Sequence, residues 1–260
     1  MTTYLDRIVE AHRAAAAADR RPIDELIATA KATEPTRGFA SALRASDGLA
    51  VIAEVKRRSP SKGDLAPDLD PADTASAYAA GGAACLSVLT DVDHFGGSVA
   101  DLQAARSAVS IPVLRKDFTV DGRDVCDARS MGADAVLLIV AALDDAELRD
   151  FHDLADEVGL DVLVEVHDEA ELARALEVGA TLIGVNQRDL VTFEVDHERA
   201  MRVGAAMPEG ILRVAESGIR GPDDAAALAA AGFHAVLVGE SVVTAGDRAA
   251  SVAALRAAAR

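Results

Sequence analysis

Eight times between Leu49 and the C-terminus, a short β-branched or aliphatic run is followed by an Ala-rich amphipathic segment. A chain with this alternation has few options, because strands joined by helices pair in parallel and must cover both faces of the sheet. The strand runs are LAVIAEVK (49–56), CLSVLTD (85–91), PVLRKDF (112–118), AVLLIVA (135–141), DVLVEVH (161–167), TLIGVNQ (181–187), ILRVAES (211–217) and HAVLVGE (234–240). The spacing predicts helices near 71–81, 98–109, 122–132, 144–158, 168–178, 194–206, 221–231 and 241–258. Cap signals open several of them: Asp70-Pro71, Gly221-Pro222-Asp223, and Asp144 followed by Glu147. Gly82, Gly132, Gly179 and Gly232 each stand at a helix end, where the left-handed conformation turns the chain back toward a strand.

Eight such units repeat at roughly 26 residues each, which suits an α/β fold of the (β/α)8 TIM-barrel type. An open doubly wound sheet is the alternative, but no unit carries a dinucleotide fingerprint and the count of eight closes a barrel. The chain divides into an N-terminal helical extension, 1–48, and the barrel, 49–260, as one domain overall. In the extension, Tyr4–Arg20 and Pro22–Thr33 read as helices and Phe39–Leu43 as a short turn. Such a segment can cap the bottom of a barrel or fold over its mouth, and both placements stay open.

Half the residues are hydrophobic but only 3% are aromatic and none is Trp, so Ala, Val, Leu and Ile must build the core. The formal charge of −17 excludes nucleic acid as a partner, because phosphate backbones are held by clustered Lys and Arg. Most of the acids read as solvated helix faces. Cys85 and Cys126 stand at no metal or disulfide spacing, which suits a reducing compartment. The N-terminus lacks the apolar stretch of a signal peptide, and the longest strongly apolar run, Ala135–Leu143, is too short to span a bilayer. A cytoplasmic protein without a membrane partner is expected.

Side chains alternate between the faces of a strand. Ile52, Glu54 and Lys56 therefore share one row and the apolar Val51, Ala53 and Val55 the other, so the charged row should face the barrel axis. The same parity groups Leu114, Lys116 and Phe118; Leu163 and Glu165; Gly184, Asn186 and Arg188; and Leu212, Val214 and Glu216. Each row begins apolar and ends polar at the C-terminal side, where barrel enzymes keep their reacting groups. A structural ion pair would explain one such residue, but not five strands doing this at one end. Small turns follow the last two strands, Glu216-Ser217-Gly218 and Val238-Gly239-Glu240-Ser241, where many barrels bind phosphate. The basic loop Arg57-Arg58-Ser59-Pro60-Ser61-Lys62-Gly63 suggests an anion-gathering lid over the mouth.

The runs AEVKRRSPSKGD (53–64), SVLTDVDHFGGS (87–98), LRKDF (114–118), ADAVLLI (133–139), LVEVH (163–167), GVNQRDL (184–190), ESGI (216–219) and VLVGE (236–240) together closely resemble the indole-3-glycerol phosphate synthase family of tryptophan biosynthesis. The resemblance runs in order from Leu49 to the C-terminus, and the N-terminal helices look like the family's extension. It implies ring closure and decarboxylation of 1-(2-carboxyphenylamino)-1-deoxyribulose 5-phosphate, a small phosphosugar substrate, with no cofactor and no metal. It further implies Lys116 as general acid, Glu165 as its partner in proton transfer, Lys56 as the alternative acid for dehydration, Glu54 positioning Lys56, and Asn186 orienting the substrate. Arg188 and Glu216 complete the polar ring. By the same resemblance, Ser59, Phe95 and Phe118 would line the carboxylate and aromatic end, while Ser217, Gly218, Gly239 and Glu240 would hold phosphate largely through backbone N–H groups. A monomer is implied, with at most weak association with other tryptophan-pathway enzymes.

Three departures stand out. Gln187 replaces the second Asn of the family's N-N-R-D-L run, at an outward position. Asp121-Gly122-Arg123-Asp124 stands where an aromatic is common, which puts the packing of the next helix in doubt. Glu240 stands where many relatives carry Ser, so its side chain must point away from phosphate. Rival readings are the neighbouring isomerase of the same pathway, which works with a Cys and Asp pair; a Schiff-base aldolase using an inward lysine; and a barrel that only senses a phosphorylated ligand.

Overall fold

The computed structural model describes residues 3–189 and 193–258. Eight parallel strands close into a barrel: β1 (Ala50–Val55), β2 (Cys85–Leu89), β3 (Val113–Lys116), β4 (Ala135–Ile139), β5 (Asp161–Val166), β6 (Leu182–Asn186), β7 (Leu212–Glu216) and β8 (Ala235–Val238). Each pairs with its sequence neighbours, and β8 returns to β1 with Ala50 opposite Ala235. The inward rows meet in one cluster that includes Ile52, Leu114, Leu137, Leu163, Val214 and Leu237. The outward rows, among them Val51, Leu86, Val136, Val164 and Ile183, pack under the helices. Parity alone therefore sorts the barrel into an inner and an outer core.

The helices around it are α4 (Pro71–Ala80), α5 (Val99–Ala108), α6 (Gly122–Ser130), α7 (Asp145–Val158), α8 (Glu169–Glu177), α9 (His197–Ala206), α10 (Pro222–Ala230), α11 (Glu240–Val243) and α12 (Arg248–Ala257). Caps set their starts: Asp70, Ser98, Asp144 and Asp168 each accept a hydrogen bond from a backbone N–H of the first turn. Gly82, Gly132, Gly179 and Gly232 all lie at positive φ. The Asp121-Gly122-Arg123-Asp124 departure is itself a capping box for α6, with Gly122 lying close to Leu154 and Ile23.

Most expected elements overrun the observed ones by one or two residues, and three differences go further. The run 135–141 leaves the strand at Ile139, and Val140–Ala142 forms a 3-10 turn. The helix expected from 194 starts at His197, because Asp196 accepts from the N–H groups of Glu198 and Arg199 and ends the preceding loop. The single helix expected over 241–258 is two, since Asp247 caps a new start after Gly246.

The extension occupies both of the places left open. Its first helix, α1 (Tyr4–Ala18), lies at the C-terminal mouth of the barrel. There Arg13 grips Glu147 with two nitrogens at 2.6 and 2.8 Å, and His12 Nε2 lies 3.1 Å from Asp91 Oδ2. Next, α2 (Ile23–Lys31) descends beside α6 and α7, pairing Lys31 with Glu157 at 2.6 Å. Finally α3 (Phe39–Arg44) plugs the opposite end, where Phe39 and Leu43 join the inner core. Two acids at the N-terminal side of the strands hold the plug: Asp161 accepts from Ala40 N–H at 2.9 Å, and Asp134 from Arg37 N–H at 2.8 Å.

Because Phe39 is fully buried in the inner core, Phe39→Ala is expected to cost about 3–5 kcal/mol of stability. Urea denaturation measures it, and a loss below about 1 kcal/mol would show that α3 is not part of the barrel's core.

Candidate active site

The inner rows end in a cavity of about 700 Å³ at the C-terminal mouth. It brings together every residue that the sequence singled out: Glu54, Lys56 and Ser59; Phe95; Lys116 and Phe118; Glu165; Asn186 and Arg188; Glu216, Ser217 and Gly218; Gly239 and Glu240. Leu190, the last residue of the GVNQRDL run, lies outside the described residues.

Two ion-paired groups form the floor. Lys56 Nζ stands 2.5 Å from Glu54 Oε1, and Ser87 Oγ donates to the other oxygen of Glu54 at 3.3 Å. Across the axis, Lys116 Nζ lies 3.1 Å from Glu165 Oε2 and 3.6 Å from Glu216 Oε2. Asn186 Nδ2 donates to Glu165 Oε1 at 3.0 Å, so both oxygens of Glu165 are occupied and its carboxylate is fixed in direction. Asn186 Oδ1 in turn accepts from Arg188 N–H, and the Arg188 guanidinium binds the carbonyl of Phe193 at 2.9 Å. Gln187 points outward and donates to Ser217 O at 2.8 Å, so the substituted position supports the neighbouring turn from behind.

Glycines make room for these charges. A Cβ on Gly184 would lie 2.0 Å from Glu216 Oε1, and one on Gly239 would lie 2.4 Å from Glu54 Oε1 and 2.8 Å from Lys56 Nζ. Ser217 and Gly218 both have positive φ, 66° and 72°. For Ser217 that is a strained conformation of the kind that collects at ligand sites. Ser241 Oγ donates to Ile219 O at 2.9 Å and ties this turn to the start of α11.

The loop after β1 is a small hairpin in which Arg58–Ser59 pairs with Gly63–Asp64. Its cations are mostly committed. Arg57 binds Asp101 and the carbonyl of Leu69, Arg58 lies 3.7 Å from Asp64, and Lys62 lies 3.4 Å from Glu240. Glu240 thus directs its carboxylate toward the hairpin.

Burial makes the floor's protonation unusual. It pushes the Lys116 ammonium down, but the carboxylates of Glu165, Glu216 and Glu54 outweigh it and hold Lys116 charged well above the ordinary lysine value. Burial pushes Glu165 up, yet Lys116, His167 and the Asn186 hydrogen bond outweigh it and keep Glu165 ionised, below its ordinary value. Glu216 is left as the third carboxylate. Burial, opposed by Lys116 and reinforced by Glu165 and Glu54, pushes it up to about 8. At neutral pH it carries a proton.

Several residues in or beside this cavity are not among those the sequence singles out as site residues. His167 continues the Leu163–Glu165 row by two residues, and parity would have placed it. Gly184 was grouped in its row, but its need to be small depends on Glu216 from the next strand. Tyr4, Leu5 and Ile8 line the cavity from α1, and nothing in their sequence announces it.

The raised Glu216 value has a stability consequence. Between the ordinary value of 4.5 and about 8 the folded state binds more protons than the unfolded chain, so this group's contribution falls as pH rises through that window. Glu216→Gln removes the penalty. The variant should gain stability over the parent at pH 8.5 relative to pH 5 in paired urea titrations, and a difference that is independent of pH would contradict a protonated Glu216.

The family model for indole-3-glycerol phosphate synthase matches residues 5–255. The chain is 58% identical to the indole-3-glycerol phosphate synthase of a Nocardioides species over 200 residues, covering 77% of each chain. It is 51% identical over 255 residues to that of Mycolicibacterium smegmatis, covering 97% of this chain and 93% of the relative. It is also 51% identical over 258 residues to indole-3-glycerol phosphate synthase 1 of Streptomyces coelicolor, covering 98% and 96%. Among solved structures, a thiamine phosphate pyrophosphorylase from Pyrococcus furiosus shares the fold alone, with a TM-score of 0.62 at 18% identity over 81% of this chain and 95% of that one. Motif order, barrel architecture and full-length similarity agree, and the chain belongs to the indole-3-glycerol phosphate synthase family.

Proposed function

We propose that this chain is an indole-3-glycerol phosphate synthase that closes 1-(2-carboxyphenylamino)-1-deoxyribulose 5-phosphate onto its own ring, with loss of CO₂ and water. The observation that carries the reading is the charged Lys116 fixed between Glu165 and Glu216 at the floor of a cavity of about 700 Å³, a size that suits a small ligand.

The chemistry asks for proton donors and acceptors at successive atoms. As the ring carbon attacks the ketone carbon, Lys116 protonates the ketone oxygen. The carboxylate then leaves as CO₂ and its electron pair restores the aromatic ring. Expelling the hydroxyl as water needs a second donor, and forming the indole double bond needs a base. Glu165 is held ionised, so it suits the base and not the acid. Lys56, held in place by Glu54, is the donor. Asn186 keeps Glu165 aimed, and Glu216 enters as a neutral hydrogen-bonding acid. Phe95 and Phe118 flank the aromatic end, with ring centroids 6.3 Å apart, and Ser59 and Arg188 offer the carboxylate its donors. Backbone N–H groups of the Ser217-Gly218 and Gly239-Glu240 turns hold the phosphate. A Schiff-base role for Lys116 is disfavoured, because an amine held as ammonium is no nucleophile.

The mouth is completed by the chain's own α1, which supports a monomer as the working unit. Residues 1–48 and 49–260 then act as one domain. Two buried, unpaired cysteines suit the cytoplasm, and among the described residues no helix is long and apolar enough to cross a membrane.

Formation of the fluorescent indole product from the carboxyphenylamino substrate tests the proposal. Lys116→Met and Glu165→Gln should each lower kcat by about 10²–10⁴-fold. A wild-type enzyme without turnover sinks the assignment, whereas near-normal turnover in Lys116→Met sinks only the assigned acid.

A further inference from the structure

Tyr4, Ile8 and His12 recur at every fourth position of α1 and so share one face of the helix. Tyr4 and Ile8 line the cavity, and His12 stands one turn beyond them. Its Nε2 lies 3.1 Å from Asp91 Oδ2 and 3.9 Å from Asp117 Oδ1, between carboxylates that follow β2 and β3. Both carboxylates are almost wholly buried, although the steps above use neither. Buried carboxylates call for a reason.

Each of them holds one aromatic wall of the cavity by its backbone. Asp91 Oδ1 accepts the N–H groups of His94 at 2.6 Å and Phe95 at 3.1 Å, and Oδ2 faces His94 Nδ1 at 3.1 Å. Asp117 Oδ1 accepts Phe118 N–H at 2.8 Å, while Oδ2 accepts from Thr90 and, at 3.1 Å, from Arg115. The His12 ring also packs against the Phe118 ring, with centroids 5.4 Å apart. One imidazole of α1 therefore meets the supports of both walls.

We propose that His12 and Asp91 are positioning residues that set Phe95 and Phe118 for the carboxyphenyl ring of the substrate, so that affinity for the ring depends on the docking of α1. The inference rests on the reading that Phe95 and Phe118 flank the aromatic end. Arg115 pairs with Asp117, whereas Asp91 meets two histidines, His12 and His94. The hydrogen bond to Asp91 outweighs burial and, with the charges of Asp117, Asp91 and Asp124, holds His12 above the ordinary histidine value. Without the imidazole, Asp91 keeps its burial but loses a charged partner, and the loop that carries Phe95 loses its tie to α1. Phe118 loses the ring that backs it. Neither His12 nor Asp91 lines the cavity, so both act through the walls and not on the reacting atoms.

Steady-state kinetics and competitive inhibition of His12→Ala and Asp91→Asn test the inference. One probe is a substrate analogue made unreactive by reducing its ketone to an alcohol, and the other is ribulose 5-phosphate, which lacks the ring. Each variant should raise KM about fivefold or more, with kcat within about twofold of the parent. The inhibition constant of the analogue should rise with KM, while that of ribulose 5-phosphate stays within about twofold. Should His12→Ala not fold, Asp91→Asn carries the same test. Parent KM in the folded variants, or an equal weakening of both probes, overturns the inference alone when Phe118→Ala weakens the analogue. Parent affinity for the analogue in both Phe95→Ala and Phe118→Ala overturns the reading of this end and the inference with it.

Discussion

A single charge balance organises the mouth of this barrel. Three carboxylates, Glu54, Glu165 and Glu216, are almost wholly buried, and only two ammonium groups, Lys56 and Lys116, lie among them. Unpaired buried charge is costly, so the third carboxylate must shed its charge or be rebuilt. Glu216 does so by keeping a proton. Everything nearby serves that balance. Gly184 and Gly239 yield the space for it, while Asn186 and Ser87 fix oxygens of Glu165 and Glu54.

The rest of the fold supplies the rigidity that such a balance requires. Charges held within about 3 Å of one another keep their protonation states only if their backbones do not drift. Parallel strands deliver each group from a separate ladder, and the register of β5, β6 and β7 places Glu165 beside Gly184 and Asn186 beside Glu216. The strands carry Glu54, Lys116, Glu165, Asn186 and Glu216 at or near their C-terminal ends. The sequence runs extend a little beyond the observed strands, and Lys56 and Asp117, just past β1 and β3, line the mouth.

Much of this was legible in the sequence because strand parity is a local rule. Counting by twos from Ile52, Leu114, Leu163 and Leu212 leads to Lys56, Lys116, Glu165 and Glu216 without knowledge of the partners. The specific turns after β7 and β8 were equally readable. What escaped depends on contacts between distant segments. Whether α1 lies above or below the barrel is decided by Arg13 meeting Glu147 and Ile8 reaching the cavity, pairs separated by most of a domain. The break between α11 and α12 rests on a cap at Asp247 inside an otherwise continuous Ala-rich pattern.

The helical extension that runs from mouth to base also bears on how the chain comes to be folded. Its plug, Phe39 and Leu43, joins the inner core that strands from β1 through β8 build together, so its binding site is complete only when the ring of strands is closed. On the ribosome this segment is made before the barrel and must wait, with its apolar face uncovered, for its last partner to emerge. The contacts it makes are long in sequence, and such contacts form late because their loop entropy must be met first. Docking of the plug is thus a natural closing event of assembly.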